Sequence, residues 1–369
     1  SLPLNWYYDF EHYNEELSKI WSKEWVYVCH KDKLKDQLSY INFKISKFNL
    51  LILKDKSSKI LAYLNTCRHR GSIICNKSYG KLKNNILVCP YHNWSYNASN
   101  GKLLKTSSFK LPKNFKTVDY GLIKIRLKIW NGLIFINLNN LSKWNLKNKF
   151  QDYDSNINKV KVENFIIGHT WKKTINCNWK IFWENYSECL HCPNIHPELC
   201  DLVPVYGRRL VDIKDDPNWR KLKKIQHPKF QGGLKKGSET WSNDGSAQGH
   251  KIKYFINKKN FPGFIYITCW PSLFLVVYID HIRVVRIIPI NGEQTEISSE
   301  WLFEKKTILD SKYKKKNVID FAIKVMKEDS DVCELNQKGV YNLDSLSGIL
   351  MPEEYDIKKF HDWLRKKLI

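Results

Sequence analysis

Two short loops, Cys67-Arg68-His69 and Cys89-Pro90-Tyr91-His92, constrain this chain more than any other feature. Separated by nineteen residues, each offers one thiol and one imidazole, spaced so that both side chains can turn toward a single metal centre. Two Cys and two His in that order suit a tetrahedral zinc, or a two-iron cluster with sulfur ligands on one iron and nitrogen on the other. Zinc-finger spacing gathers both Cys in one arm and both His in the other. Here each arm carries one of each, and spacing alone leaves both metals open.

The chain of 369 residues is comfortable for two domains. No apolar run approaches the roughly 18 residues of a membrane span; the longest, Leu273 to Ile279, has seven. The first residues show no basic segment followed by an apolar core, so no signal peptide is expected and the location is read as cytoplasmic. Ten cysteines lack the dense spacing of a secreted disulfide framework. The net charge of +24 comes from lysines scattered along the chain rather than a stripe, which argues against nucleic acid as a partner. Such a basic surface would suit an acidic electron-donor protein instead.

Phe10, Tyr13, Leu17, Ile20 and Trp21 recur at helical spacing and predict an amphipathic helix over 9–24. From Trp25 the pattern changes to short runs, at 25–28, 41–45, 49–53, 60–64, 86–88, 122–125 and 133–137, as expected of a small antiparallel system. The organisation expected is a helix over 1–24 packed on the later domain, a metal-loop domain over 25–140, and a second domain over 141–369. A section rich in Lys, Gly and Asn, 205–260, with Gly232, Gly233, Gly237 and Gly245, reads either as a mobile loop over an active-site mouth or as a solvated insertion. Strands are expected again at 263–268, 273–279, 282–288 and 295–303. Phe264, Tyr266, Trp270 and Phe274 could show aromatic faces to a substrate, although aromatics at such spacing are commonly core.

A second metal signal follows Asn178-Trp179-Lys180. Helical spacing would bring Glu188 and His191 to one side, whereas His196 lies about 140° further round an ideal helix. Pro193 disfavours helical angles at Cys192, so a bend there could swing His196 back. Two His beside a carboxylate suggest the two-His-one-carboxylate set of non-haem Fe(II) sites; ordinary polar loop histidines are the bland alternative. For the carboxylate, a helix from Lys316 to Gln337 places Val318, Ala322, Val325 and Cys333 along one stripe, which Asp329 interrupts. Coordination to a cation would relieve a carboxylate buried there. Asp331, roughly 200° away from it, is expected in solvent.

The words Cys67-Arg68-His69-Arg70-Gly71, Cys89-Pro90-Tyr91-His92-x-Trp94-x-Tyr96, Glu188-x-x-His191-x-x-x-x-His196 and Glu328-Asp329-x-x-x-Cys333-Glu334-x-x-Gln337-x-Gly339 together resemble the α-subunits of Rieske non-haem iron oxygenases. The resemblance extends over essentially the whole chain, with one departure: Asn93 stands where the family usually has Gly. It implies an α+β fold, a β-rich Rieske [2Fe–2S] domain joined to a helix-grip catalytic domain of antiparallel sheet and helices. By the same resemblance Cys67, His69, Cys89 and His92 hold the cluster, and His191, His196 and Asp329 hold Fe(II). Electrons from NAD(P)H would arrive through a reductase or ferredoxin, with O2 as co-substrate and a small organic molecule hydroxylated or demethylated. The family works as a head-to-tail homotrimer, and Glu188 takes its bridging-carboxylate position, between His92 of one subunit and His191 of the next. Many arene dioxygenases have Asp there; Glu is similar to the branch acting on choline, glycine betaine and carnitine. An aromatic-ring dioxygenase and a Rieske electron carrier without oxygenase activity are the alternatives.

Overall fold

The structure is a computed structural model that describes residues 1–139, 146, 150, 154–212, 215–217, 233–256, 264–343 and 348–369. Most of the stretch 141–160, part of the section 205–260 with Gly232, and Gly263 at the start of an expected strand lie outside the described residues. The chain forms two compact units, Trp21–Asn148 and Ser1–Ile20 with Lys149–Ile369.

The first unit is antiparallel sheet. Its strands are β1 Val26–His30, β2 Ser39–Ile45, β3 Phe48–Lys54, β4 Ile60–Leu64, β5 Tyr79–Lys81, β6 Ile86–Val88, β7 Ser95–Asn97, β8 Leu103–Lys105, β9 Lys124–Trp130 and β10 Leu133–Asn137. Seven strands run in the order β1-β10-β9-β4-β3-β2-β5, and β6-β7-β8 form a separate sheet. Alternating apolar residues fill the space around the metal loops: Leu51, Leu53, Leu61 and Tyr63 pack with Leu87, Trp94 and Tyr96 in one buried cluster that includes Cys67 and Cys89. The strand expected at 122–125 begins two residues later, at Lys124, and runs to Trp130, because Leu122 instead closes a turn by donating to the Gly101 carbonyl at 2.8 Å.

The second unit is built on a five-stranded antiparallel sheet, β11 Ile166–Ile175, β12 Ile265–Cys269, β13 Leu273–Val277, β14 Ile282–Asn291 and β15 Gln294–Phe303, in the order β11-β15-β14-β13-β12. The long helix Lys316–Val340 packs across it, with Val318 and Ala322 on Trp301 and Phe303 of β15 and Trp171 of β11. The N-terminal helix is shorter than its periodicity predicts: Phe10–Glu16, capped by Asp9 accepting from the His12 N–H at 2.7 Å, then a π turn Leu17–Trp21. Phe10, at the first helical position, is 69% exposed, while Tyr13, Leu17, Ile20 and Trp21 are buried. Glu16 at the helix end is fully buried, where it accepts from Trp179 Nε1 at 2.8 Å and pairs with Lys180 Nζ. The last helix, Tyr355–Leu368, lays Phe360 against Trp179 at 5.7 Å between ring centres.

Candidate metal centres and the catalytic cavity

The loops at Cys67 and Cys89 are built alike. Gly71 N–H donates to the Cys67 carbonyl and Asn93 N–H to the Cys89 carbonyl, both at 3.0 Å. Cys67 N–H donates to Ser72 O and Cys89 N–H to Trp94 O, both at 2.8 Å. Each turn therefore needs a left-handed residue four places after its Cys. Gly71 supplies it with φ 78° and Asn93 with φ 55°, so Asn takes the backbone conformation that the departure from Gly put in question. The two thiols lie side by side and buried, and Tyr96 Oη sits 3.2 Å from Cys67 Sγ. The imidazoles face outward, with His69 exposed and stacked on Trp94 and its ring centre 4.8 Å from that of His92.

A tetrahedral zinc would draw all four donors within about 4 Å of one another, given bonds of roughly 2.0–2.3 Å. Among the described residues only His191, His196 and Asp329 gather three donor atoms within 4.8 Å, so the early four spread wider than one ion requires. Paired inner thiols and separate outer imidazoles fit a two-iron cluster instead.

The later site grows from the helix Trp179–Tyr186, started by Asn178, whose side chain accepts from the Lys180 N–H at 3.0 Å. The helix stops at Ser187, so Glu188 and His191 lie beyond it, and their meeting comes from a tight turn rather than helical spacing. Glu188 accepts there from both the Leu190 N–H and His191 Nδ1–H. Pro193 does not bend the chain at Cys192. It sits in the first turn of a new helix, Cys192–Ile195, where its missing N–H costs nothing. The break falls at His196, with φ −123° and ψ 61°, before the helix Pro197–Leu202, and this turns the second imidazole toward the first.

His196 Nε2 lies 2.9 Å and His191 Nε2 3.5 Å from Asp329 Oδ1, on the long helix. Asn185 Nδ2 donates to the same oxygen at 2.7 Å, and His196 Nδ1–H to Glu328 at 2.7 Å. Both Nδ1 atoms are thus committed to carboxylates, which fixes the tautomers and turns both Nε2 atoms to the cavity. Burial opposes charge here, yet hydrogen bonds from the two imidazoles hold the Asp329 carboxyl far below its ordinary range. Burial likewise opposes the His191 cation, but Asp329, Cys192 and Glu188 push its pKa up to about 12. Three carboxylates around two imidazoles leave the group short of positive charge, which a divalent cation on the two Nε2 atoms and Asp329 would supply. Asp331 is 75% exposed beside Lys173. Glu328 and Asn185 were not found as partners from sequence, where their reach across 132 and 144 residues leaves no local signal.

Next to this group lies a cavity of about 450 Å³. Tyr266, Trp270 and Phe274 line it, as do Tyr186, Tyr206 and Trp241. Phe264 does not; it packs behind Trp241 and Tyr266, at 5.8 and 5.0 Å between ring centres. In the section 205–260 the described part around Thr240–Gln248 is irregular but anchored, since Asp280 accepts from Thr240 Oγ1 at 2.9 Å and from the Gln248 N–H at 2.6 Å.

A sheet-borne pair of thiol–imidazole loops in one unit, and a helix-grip domain whose helices and turns bring His, His and Asp together in the other, define an oxygenase subunit of the Rieske type. Residues 24–116 match the Rieske [2Fe-2S] domain and residues 162–368 the ring hydroxylating alpha subunit catalytic domain. The chain belongs to this family of oxidoreductases, as its terminal oxygenase component. It is 26% identical over 396 residues to the glycine betaine monooxygenase oxygenase subunit of Pseudomonas aeruginosa, covering 100% of this chain and 89% of that one. Against the chloroplastic choline monooxygenase of Beta vulgaris it is 26% identical over 372 residues, covering 99% and 76%. The crystal structure of the apo form of a quaternary ammonium Rieske monooxygenase superposes with a TM-score of 0.75 at 18% identity, covering 100% of this chain and 95% of that one. No helix among the described residues is long and apolar enough to cross a membrane.

Proposed function

We propose that the chain monooxygenates a quaternary ammonium compound at a carbon bonded to the nitrogen. The observation that carries this reading is the aromatic lining of the cavity beside His191, His196 and Asp329, since ring faces attract a cation that has no N–H to donate. The relatives named for glycine betaine and choline, which match along nearly the whole chain, support it.

In this reading Cys67, His69, Cys89 and His92 hold a [2Fe–2S] cluster, and His191, His196 and Asp329 hold Fe(II). When bound, these groups supply one-electron transfer and dioxygen activation. The chain's own residues hold the imidazoles in one tautomer, exclude water with aromatic walls and aim a methyl group at the open side of the triad. Oxygen enters a C–H bond of an N-methyl group, O2 being reduced with two electrons and two protons to one hydroxyl and one water. The resulting hydroxymethyl ammonium then loses its O–H proton as the C–N bond breaks, its electron pair passing to nitrogen, and formaldehyde leaves. Electrons come from NAD(P)H through a separate reductase or ferredoxin. Glu188, already hydrogen-bonded to His191, would accept from the partner subunit's His92 in a homotrimer.

The test is turnover of reconstituted protein with reductase, NADH and labelled O2 on a panel of betaines, choline, carnitine and aromatic acids, read by mass spectrometry. A single labelled oxygen on an ammonium substrate, or formaldehyde from it, is expected. A cis-diol from an aromatic acid would overturn the reading.

A further inference from the structure

Arg283, on β14, is 3% exposed and lines the same cavity as Asp329. Its guanidinium lies over the rings of Trp241 and Phe274, 5.6 and 5.9 Å from their centres. Contacts of this kind supply the cation with no hydrogen-bond acceptor. The N–H groups lie in its plane, and Nε and Nη1 are buried without a hydrogen-bond partner among the described residues. Two neighbours in the cavity wall share this condition, since Tyr186 Oη and Trp241 Nε1 are also buried without a partner among the described residues. The carboxylates lining the cavity are committed elsewhere: Asp329 to His191, His196 and Asn185, Glu188 to His191 and the Leu190 N–H, and Asp356 to Lys359. A buried cation with unused donors is costly unless something brings it an anion.

We infer that Arg283 anchors a carboxylate of the substrate, so that the cavity takes a zwitterionic betaine rather than a cationic ammonium alcohol. The inference rests on the quaternary ammonium reading and adds the second charge to it. A carboxylate accepts two parallel N–H bonds from a guanidinium, a fit that a hydroxyl lacks. A purely cationic substrate would instead add a second positive charge to a cavity that already buries one.

Three probes separate the two charges: glycine betaine, its methyl ester, which keeps only the cation, and 3,3-dimethylbutanoate, which keeps only the carboxylate. Binding is measured without turnover, by calorimetry and by quenching of tryptophan fluorescence, on iron-loaded protein held without oxygen. Glycine betaine should bind about 10- to 100-fold tighter than the ester, the range for a charged hydrogen-bonded contact. In Arg283→Met the two carboxylate probes should weaken by a similar factor while the ester does not, and Arg283→Lys should recover part of the loss. The wild-type comparison of betaine and ester needs no variant to fold. If the ester binds as tightly as the betaine, or Arg283→Met holds the carboxylate probes unchanged, the inference is overturned while the ammonium reading stands. If 3,3-dimethylbutanoate matches glycine betaine and both depend on Arg283, the anchor stands and the ammonium reading falls. Should none of the three bind, both fall.

Discussion

Glu328 and Asp329 are consecutive on one helix, yet they grip the same imidazole from opposite ends: Glu328 holds His196 Nδ1 at 2.7 Å and Asp329 faces Nε2 at 2.9 Å. The pair works because the helix runs past the edge of the ring, one carboxylate presenting it and the other meeting the donor it presents. Glu328→Ala should therefore lower iron affinity by about 10- to 100-fold, the usual cost of losing such a partner. Glu328→Gln, which can still accept from Nδ1–H, should lose less. Titration of iron against a competing chelator checks both, with the absorption of the [2Fe–2S] cluster as an internal control that should not change.

Glu188→Gln separates positioning from metal binding. The amide can still accept from His191 Nδ1–H, so iron analysis should return three irons per chain. In the bridging role proposed for it, Glu188 needs its charge to order two imidazoles, and misplacement of this kind costs on the order of 100-fold in rate. Coupled turnover should fall by at least that factor, while the reduced cluster keeps its rhombic electron paramagnetic resonance signal. Full activity in this variant would remove the bridging role.

The residues proposed to hold metal stood out in the sequence because their identities and spacings match chemical requirements. The geometry that joins them was less so. Asp329 could be chosen over Asp331 because a 3.6-residue period separates a carboxylate that is 13% exposed from one that is 75% exposed. The role given to Pro193 was misplaced because the same residue either breaks a helix or begins one, and only its position relative to His196 decides. Strands β5, β7 and β8 were missed because their three residues include Gly, Ser, Asn or Lys, unlike the all-apolar β6 of equal length, and the ten-residue β11 was missed because Gly168 and its polar residues obscure the run. Arg283 was passed over as one more charge on an alternating strand, since nothing local tells a residue that faces solvent from one that faces a cavity.

Asn93 offers a test of the loop geometry. At φ 55° an Asn is tolerated, Gly costs nothing and a β-branched residue is strained. Asn93→Gly should leave stability and cluster content unchanged or slightly improved. Asn93→Val should cost about 1–2 kcal/mol, read as a lower denaturant midpoint and faster loss of the visible absorption on dilution into chelator. Equal stability of the two variants would mean that the turn relaxes out of the left-handed region.

Glu16 and Lys180 make the last case, because their contribution to stability is easily misread from the contact alone. Both side chains are fully buried, Trp179 Nε1 adds a second bond to the carboxylate, and His12 Nε2 lies 3.1 Å from it. Taking two charges out of water costs several kcal/mol each, so the pair need not be worth much in total. Its loss from one side is a different matter, since the survivor is left buried and charged without its main counter-charge. Lys180→Met should therefore destabilise the protein by about 3–5 kcal/mol. Adding Glu16→Gln, which removes the stranded charge and still accepts from Trp179, should restore most of that loss rather than add to it. Denaturant unfolding of the two single variants and the double variant supplies the cycle, and an additive result would show that the pair is not coupled.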